Sequence, residues 1–120
     1  MIRYTISTGV LSLDDKLLGV GYSGQPECRN DPEKCSIHNA GPIPPGLYRI
    51  EEPRDSKTHG PFVLPLTPDP RNEMYGRSAF LIHGDSIAHP GTASEGCIIM
   101  PRSVREAVRA SSELDLKVVA

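Results

Sequence analysis

Along the first two dozen residues, Ile2, Tyr4 and Ile6 alternate with Arg3, Thr5 and Ser7. A period of two marks a strand with one face in a core and the other toward water. Thr8-Gly9 predicts a turn, Val10 to Leu13 a second strand, Asp14-Asp15 another turn, and Leu17 to Tyr22 a third strand ending at Ser23-Gly24. Residues 25–41 are polar, broken by Pro26 and Pro32, and read as a loop. Gly41-Pro42-Ile43-Pro44-Pro45-Gly46 predicts a stiff turn, because proline fixes φ at three positions. It feeds a strand over Leu47 to Ile50. Residues 53–61 read as loop, Phe62 to Leu64 as a short strand, and residues 67–72, with two prolines, as irregular chain.

Ala79 to Ile82 is short and apolar, as a buried strand would be, and ends at His83-Gly84-Asp85. A loop of small residues spans 84–96 before Cys97-Ile98-Ile99-Met100 resumes the apolar run. Pro101 suits the first turn of a helix whose stripe is Val104, Ala107 and Val108. Leu114, Leu116 and Val118 alternate as a closing strand. No repeat or linker divides the chain, so residues 1–120 are expected to form one mainly β domain with one helix.

Composition narrows the function classes. Twelve prolines and eleven glycines favour short strands and turns over long helices. With 5% aromatic residues, no Trp and a net charge of −2, the chain lacks both the stacking platforms and the basic surface of a nucleic-acid binder. No apolar run approaches the ~20 residues of a membrane span. The start, Met1-Ile2-Arg3-Tyr4-Thr5, reads as a strand and not as a signal peptide. Delivery outside the cytoplasm would then need another route.

Three cysteines are an odd number. The simplest partition pairs Cys28 with Cys35 and leaves Cys97 free; two reduced thiols are the alternative. The chemistry concentrates in residues 83–99. A thiol attacks as thiolate, and an imidazole within reach can take its proton. Here a histidine, His83, ends one apolar strand and Cys97 begins the next. Gly96 lets backbone approach a substrate closely and frees local N–H groups to serve an oxyanion.

Ile82-His83-Gly84 and Ser94-Glu95-Gly96-Cys97-Ile98 resemble the signature of L,D-transpeptidase catalytic domains of the YkuD type. Together with Asp85, Ile99 and the upstream segment 41–48, they look most like the small L,D-transpeptidase-like effectors of bacterial type VI secretion. The resemblance implies an L,D-transpeptidase-type β-sandwich with one short helix after the cysteine strand. It implies a cysteine acyltransferase acting on peptidoglycan stem tetrapeptides, by L,D-carboxypeptidase cleavage or D-amino-acid exchange. Cys97 would be nucleophile and His83 acid/base; Ser94, Gly96, Gly84 and Asp85 would support the motif and the oxyanion. No cofactor or metal is implied. Stem peptides and a cognate immunity protein would be the partners, and the periplasm of a target bacterium the place of action.

The chain departs from that pattern at Glu95, where a second histidine is usual, and at Ile99, where an arginine is common. Glu95 removes a donor and by its charge raises the Cys97 pKa. Two other readings remain open from the residues. One is a zinc metallopeptidase using His83, Asp85, His89 and Cys97; the other is a non-catalytic wall-binding or phage structural module. His38 and His59 fall in polar loops, Tyr48 and Arg49 on a strand, and Arg102, Arg105 and Arg109 on a helix face expected to meet solvent.

Overall fold

The computed structural model describes residues 1–120. Strands β1 (Ile2–Thr5), β2 (Val10–Leu13) and β3 (Lys16–Val20) form the expected meander. β4 (Tyr22–Ser23) is a separate strand. The chain continues through β5 (Gly46–Ile50), β6 (Arg54–Ser56), β7 (Gly60–Pro68), β8 (Phe80–His83) and β9 (Ile98–Ile99). The helix α1 (Arg102–Ala110) and β10 (Asp115–Val119) complete it. The fold is mainly β, with a single α-helix after the cysteine strand. Residues 53–61 and 67–72 depart from the loop reading: β6 pairs with β7, and β7 runs on through Pro68 beside β5. Pro61, Pro65 and Pro68 all fall within β7, where each offers the pairing a carbonyl but no N–H.

The strands follow one path, β3-β2-β1-β10-β5-β7-β8-β9-β4, with β6 beside β7. Most pairs are antiparallel; β1 with β10 and β8 with β9 are parallel. The two ends of this path, β3 and β4, are consecutive in sequence and separated only by Gly21. One residue cannot cross a wide gap, so the sheet must curl until its edges nearly meet. Gly21 forms that seam: its N–H donates to the Gly9 carbonyl at 2.8 Å. A Cβ at Gly21 would collide with the Ile99 carbonyl on β9.

The curled sheet encloses one core. Ile2, Tyr4 and Ile6 on the inner face of the first strand and its continuation meet Leu11, Leu64, Ile82, Ile98, Leu116 and Val118. Val104 and Val108 of α1 enter the same cluster, whereas Ala107, expected in the stripe, is exposed. Arg105 departs from the solvated face expected of it. It is buried, with Nε donating to the Met100 carbonyl and Nη1 to the carbonyls of Pro61 and Phe62. A guanidinium carries enough donors to satisfy several carbonyls at once, so Arg105 ties the helix to the start of β7. Arg102 and Arg109 remain on the surface, paired with Glu106 and Glu52.

Replacing Gly21 by Ala puts a methyl group against backbone on a neighbouring strand, where no side chain can move aside. Urea denaturation of Gly21→Ala is expected to show a loss of about 2 kcal/mol or more. An unchanged midpoint would show that the edges are not held together here.

Candidate active site

The local geometry follows from the register of β8 and β9. Ile82 pairs with Ile98 and His83 with Ile99, in parallel. Successive side chains on a strand point to opposite faces, and registered partners share a face. Ile82 and Ile98 therefore face the core together. Leu81 and His83 point the other way, with Ile99 and, two residues before it, Cys97. The two candidate chemical groups thus lie on one face of adjacent strands, offset by about two residues, or roughly 7 Å along the strand. Both line the same open cavity of about 500 Å³, with Ala79, Phe80, Glu95, Gly96, Arg77, His38 and His59.

His83 is 2% exposed. Its Nδ1 lies 2.8 Å from the Gly84 carbonyl, which can only accept. The proton of the neutral ring therefore sits on Nδ1, and Nε2 keeps a bare lone pair. That Nε2 is buried and has no hydrogen-bond partner. Burial pushes the His83 pKa down to about 4, with the Gly84 bond opposing and nearby His59 adding a little. At neutral pH the ring is an unprotonated base.

Cys97 Sγ receives the Leu81 N–H at 3.3 Å and lies 3.9 Å from the Ala79 carbonyl. It does not bond His83. Burial raises its pKa to about 11; the Leu81 bond and Arg77 oppose the rise, while the charge of Glu95 adds to it. The resting pair is therefore neutral thiol and neutral imidazole.

The loop entering Cys97 is held by buried hydroxyls. Ser94 Oγ donates to the Cys97 carbonyl at 2.6 Å and accepts the N–H groups of Gly24 and Gly96. Ser23 Oγ donates to the Gly96 carbonyl and accepts the Ile43 N–H. The Gly96 N–H is thus engaged, while the Cys97 N–H meets no protein acceptor. Gly96 has φ 141°, and a Cβ there would lie 2.8 Å from Phe80 and still closer to Arg77. Its glycine makes room for the arginine.

Sequence reasoning missed Arg77. This buried side chain donates to the carbonyls of Cys35, Pro42, Gly41 and Glu95 at 2.5–3.0 Å and lies over the Phe80 ring. It clamps the proline-rich turn to the loop that carries Cys97. Four carbonyl partners contributed by distant segments leave no local pattern to find. His59, on the β6–β7 turn, was also missed; its ring packs on His83 with centroids 4.6 Å apart. His38 bonds the Tyr75 carbonyl at the cavity wall.

The remaining expected residues fall elsewhere. Asp85 does not line the cavity. It accepts the Tyr22 hydroxyl at 2.5 Å and the N–H groups of Ser86 and Gly91. Partial desolvation would raise its pKa, but these bonds prevail and hold it low. Asp85 thereby organises the 84–96 loop, joined by Arg29, which stacks on Tyr22 and donates to the Gly91 carbonyl. Gly84 presents its carbonyl to His83 and its open side to Arg105. His89 is exposed. No three His, Cys, Asp or Glu side chains converge as metal ligands, so the zinc set His83, Asp85, His89 and Cys97 is not assembled. Cys28 and Cys35 are free, buried thiols; the pairing the sequence left open is not made. The loop is fastened instead by Asn30 accepting the Ser23 N–H and by the Arg77 clamp. Tyr48 is buried and bonds the Pro44 carbonyl, and Arg49 lies on the same strand, away from the cavity.

Two measurements test this resting state. At pH 7 a thiol of pKa about 11 is ionised in roughly one part in ten thousand. Iodoacetamide should therefore alkylate Cys97 more slowly than a free cysteine, with a rate rising tenfold per pH unit to about pH 11. A plateau below pH 8 would reveal a preformed thiolate. For His83 the folded pKa lies below the unfolded value of 6.5, so the unfolded chain binds the extra proton. Its contribution is present above pH 6.5 and lost as pH falls toward 4, up to about 3 kcal/mol. Denaturation curves of His83→Gln should lack that acid slope; an unchanged slope would place the titration elsewhere.

Comparison with protein families gives a match over most of the chain. Searches of curated proteins and of solved structures found none. The Tlde1 domain family, type VI secretion effectors with L,D-transpeptidase-like activity, matches residues 19–119, which include the seam glycine, both clamping serines, Arg77, His83 and Cys97. The chain belongs to the Tlde1 domain family.

Proposed function

We propose that the protein is a cysteine acyltransferase that removes or exchanges the terminal D-amino acid of peptidoglycan stem tetrapeptides. The observation that carries this reading is the bare, buried Nε2 of His83 on the same face and in the same cavity as Cys97. Membership of a family of L,D-transpeptidase-like effectors supports a peptidoglycan stem peptide as the substrate class.

The reaction requires Cys97 Sγ to leave Leu81 and Ala79 and turn toward His83. The thiol proton passes to His83 Nε2 as Sγ bonds the carbonyl carbon at the L-centre of the diamino acid. The imidazolium forms only at this step, and its Nδ1–H remains bonded to the Gly84 carbonyl. The free Cys97 N–H can donate to the developing oxyanion. His83 then gives its proton to the departing D-amino acid nitrogen as the C–N bond breaks, leaving a thioester. Water, deprotonated by His83, hydrolyses the thioester to the tripeptide and regenerates the thiol; a D-amino acid amine attacking instead gives the exchanged tetrapeptide. The reading extends to delivery by a secretion machine into the periplasm of a target cell, with an immunity protein as partner.

The decisive experiment is incubation of purified tetrapeptide muropeptides with the protein under reducing conditions, with products read by mass spectrometry. Tripeptide, or exchanged tetrapeptide when a D-amino acid is added, is expected. Cys97→Ala should abolish turnover and His83→Gln should lower it at least a hundredfold. Unaltered tetrapeptide with the wild-type protein sinks the proposal.

A further inference from the structure

The cavity holds one feature that the acyl-transfer scheme leaves unused. Glu95 is the only carboxylate on its wall. The residue is exposed, immediately precedes the Gly96-Cys97 pair, and takes part in none of the ion pairs of the protein. Its backbone is anchored: the Glu95 carbonyl accepts Arg77 Nη2 at 3.0 Å. The guanidinium of Arg77 is turned to four carbonyls, so the nearest buried cation is not offered to the carboxylate. His83 is neutral. An unpaired negative charge beside a nucleophile that must become negative works against the thiolate. Such a charge is useful if the substrate brings a cation to it.

Resting on the stem-peptide reading, we infer that Glu95 is a specificity subsite for the side-chain ammonium of the stem's diamino acid, so that the protein selects stems in which that amine is free. The attacked carbonyl belongs to the diamino acid itself, so its side chain must lie along the cavity wall close to Cys97. An ammonium donating to the Glu95 carboxylate forms a charge-assisted bond at the cavity wall. It also neutralises the charge that opposes ionisation of Cys97, so the matching substrate improves the nucleophile as it binds. An acylated amine, as in a cross-linked or acetylated stem, carries no charge and can do neither.

The test compares two monomeric tetrapeptide stems, one with the free side-chain amine and one acetylated at that nitrogen alone, using the full chain. The wild-type protein should favour the free amine by about tenfold or more in kcat/KM. Glu95→Gln should erase most of that preference by slowing the free-amine stem while speeding the acetylated stem, which is relieved of the charge opposing Cys97 ionisation, and Glu95→Asp should keep part of it. A Glu95→Gln protein with the wild-type preference, or a wild-type protein that treats both stems alike, overturns the inference while leaving the acyl-transfer reading intact. Failure of the wild-type protein to turn over either stem removes that reading and this inference with it.

Discussion

The site depends on the parallel pairing of β8 with β9. That pairing sets His83 and Cys97 on a common face, and a slip of one residue would send one of them into the core. Yet β9 is only two residues long and cannot hold a register by its own hydrogen bonds. The register is fixed from outside, by Ser94, Ser23 and Arg77, which bind the backbone of residues 94–97 to Gly24, Ile43 and the turn at 41–42. The seam at Gly21 brings β4 against β9 and so delivers Ser23 to that network. Closure of the sheet and placement of Cys97 are one event.

Burial then sets the chemistry. Removing both groups from water disfavours both charged forms, which drives the thiol pKa up and the imidazole pKa down. The result is an uncharged pair, unlike the thiolate–imidazolium pair that lowers a cysteine's pKa in other settings. The resting cavity compensates only in part: Arg77 opposes the rise in the thiol pKa without cancelling it, its donors being spent on carbonyls, and Glu95 has the wrong sign. In the proposed reaction, activation falls to the bound complex, where the substrate would complete the electrostatics and bring its carbonyl between sulfur and Nε2.

Much of the fold was legible because it rests on local periodicity. The alternation of Ile2, Tyr4 and Ile6, the apolar run at 80–82 and the helix after Pro101 each sit where their pattern placed them. The failures share a cause. β7 runs through three prolines, Pro61, Pro65 and Pro68, which bring carbonyls but no N–H groups to the pairing, and the chain itself cannot announce which ladder positions tolerate that. Arg105 looked solvated because helical periodicity records charge and not the carbonyls waiting across the fold at residues 61, 62 and 100.

The sequence by itself determined the mainly β class, the single helix, and the choice of His83 and Cys97 as the residues worth watching, since residue type and strand-end position are local properties. Only the tertiary structure decided that these two share a face and a cavity, that Gly96 makes room for Arg77, that Asp85 builds the loop beside the site, and that Cys28 and Cys35 stay unpaired. The physical reason is that hydrogen-bond partners and desolvation are supplied by segments remote in sequence. A side chain's neighbours, and therefore its proton affinity, exist only once the sheet has closed.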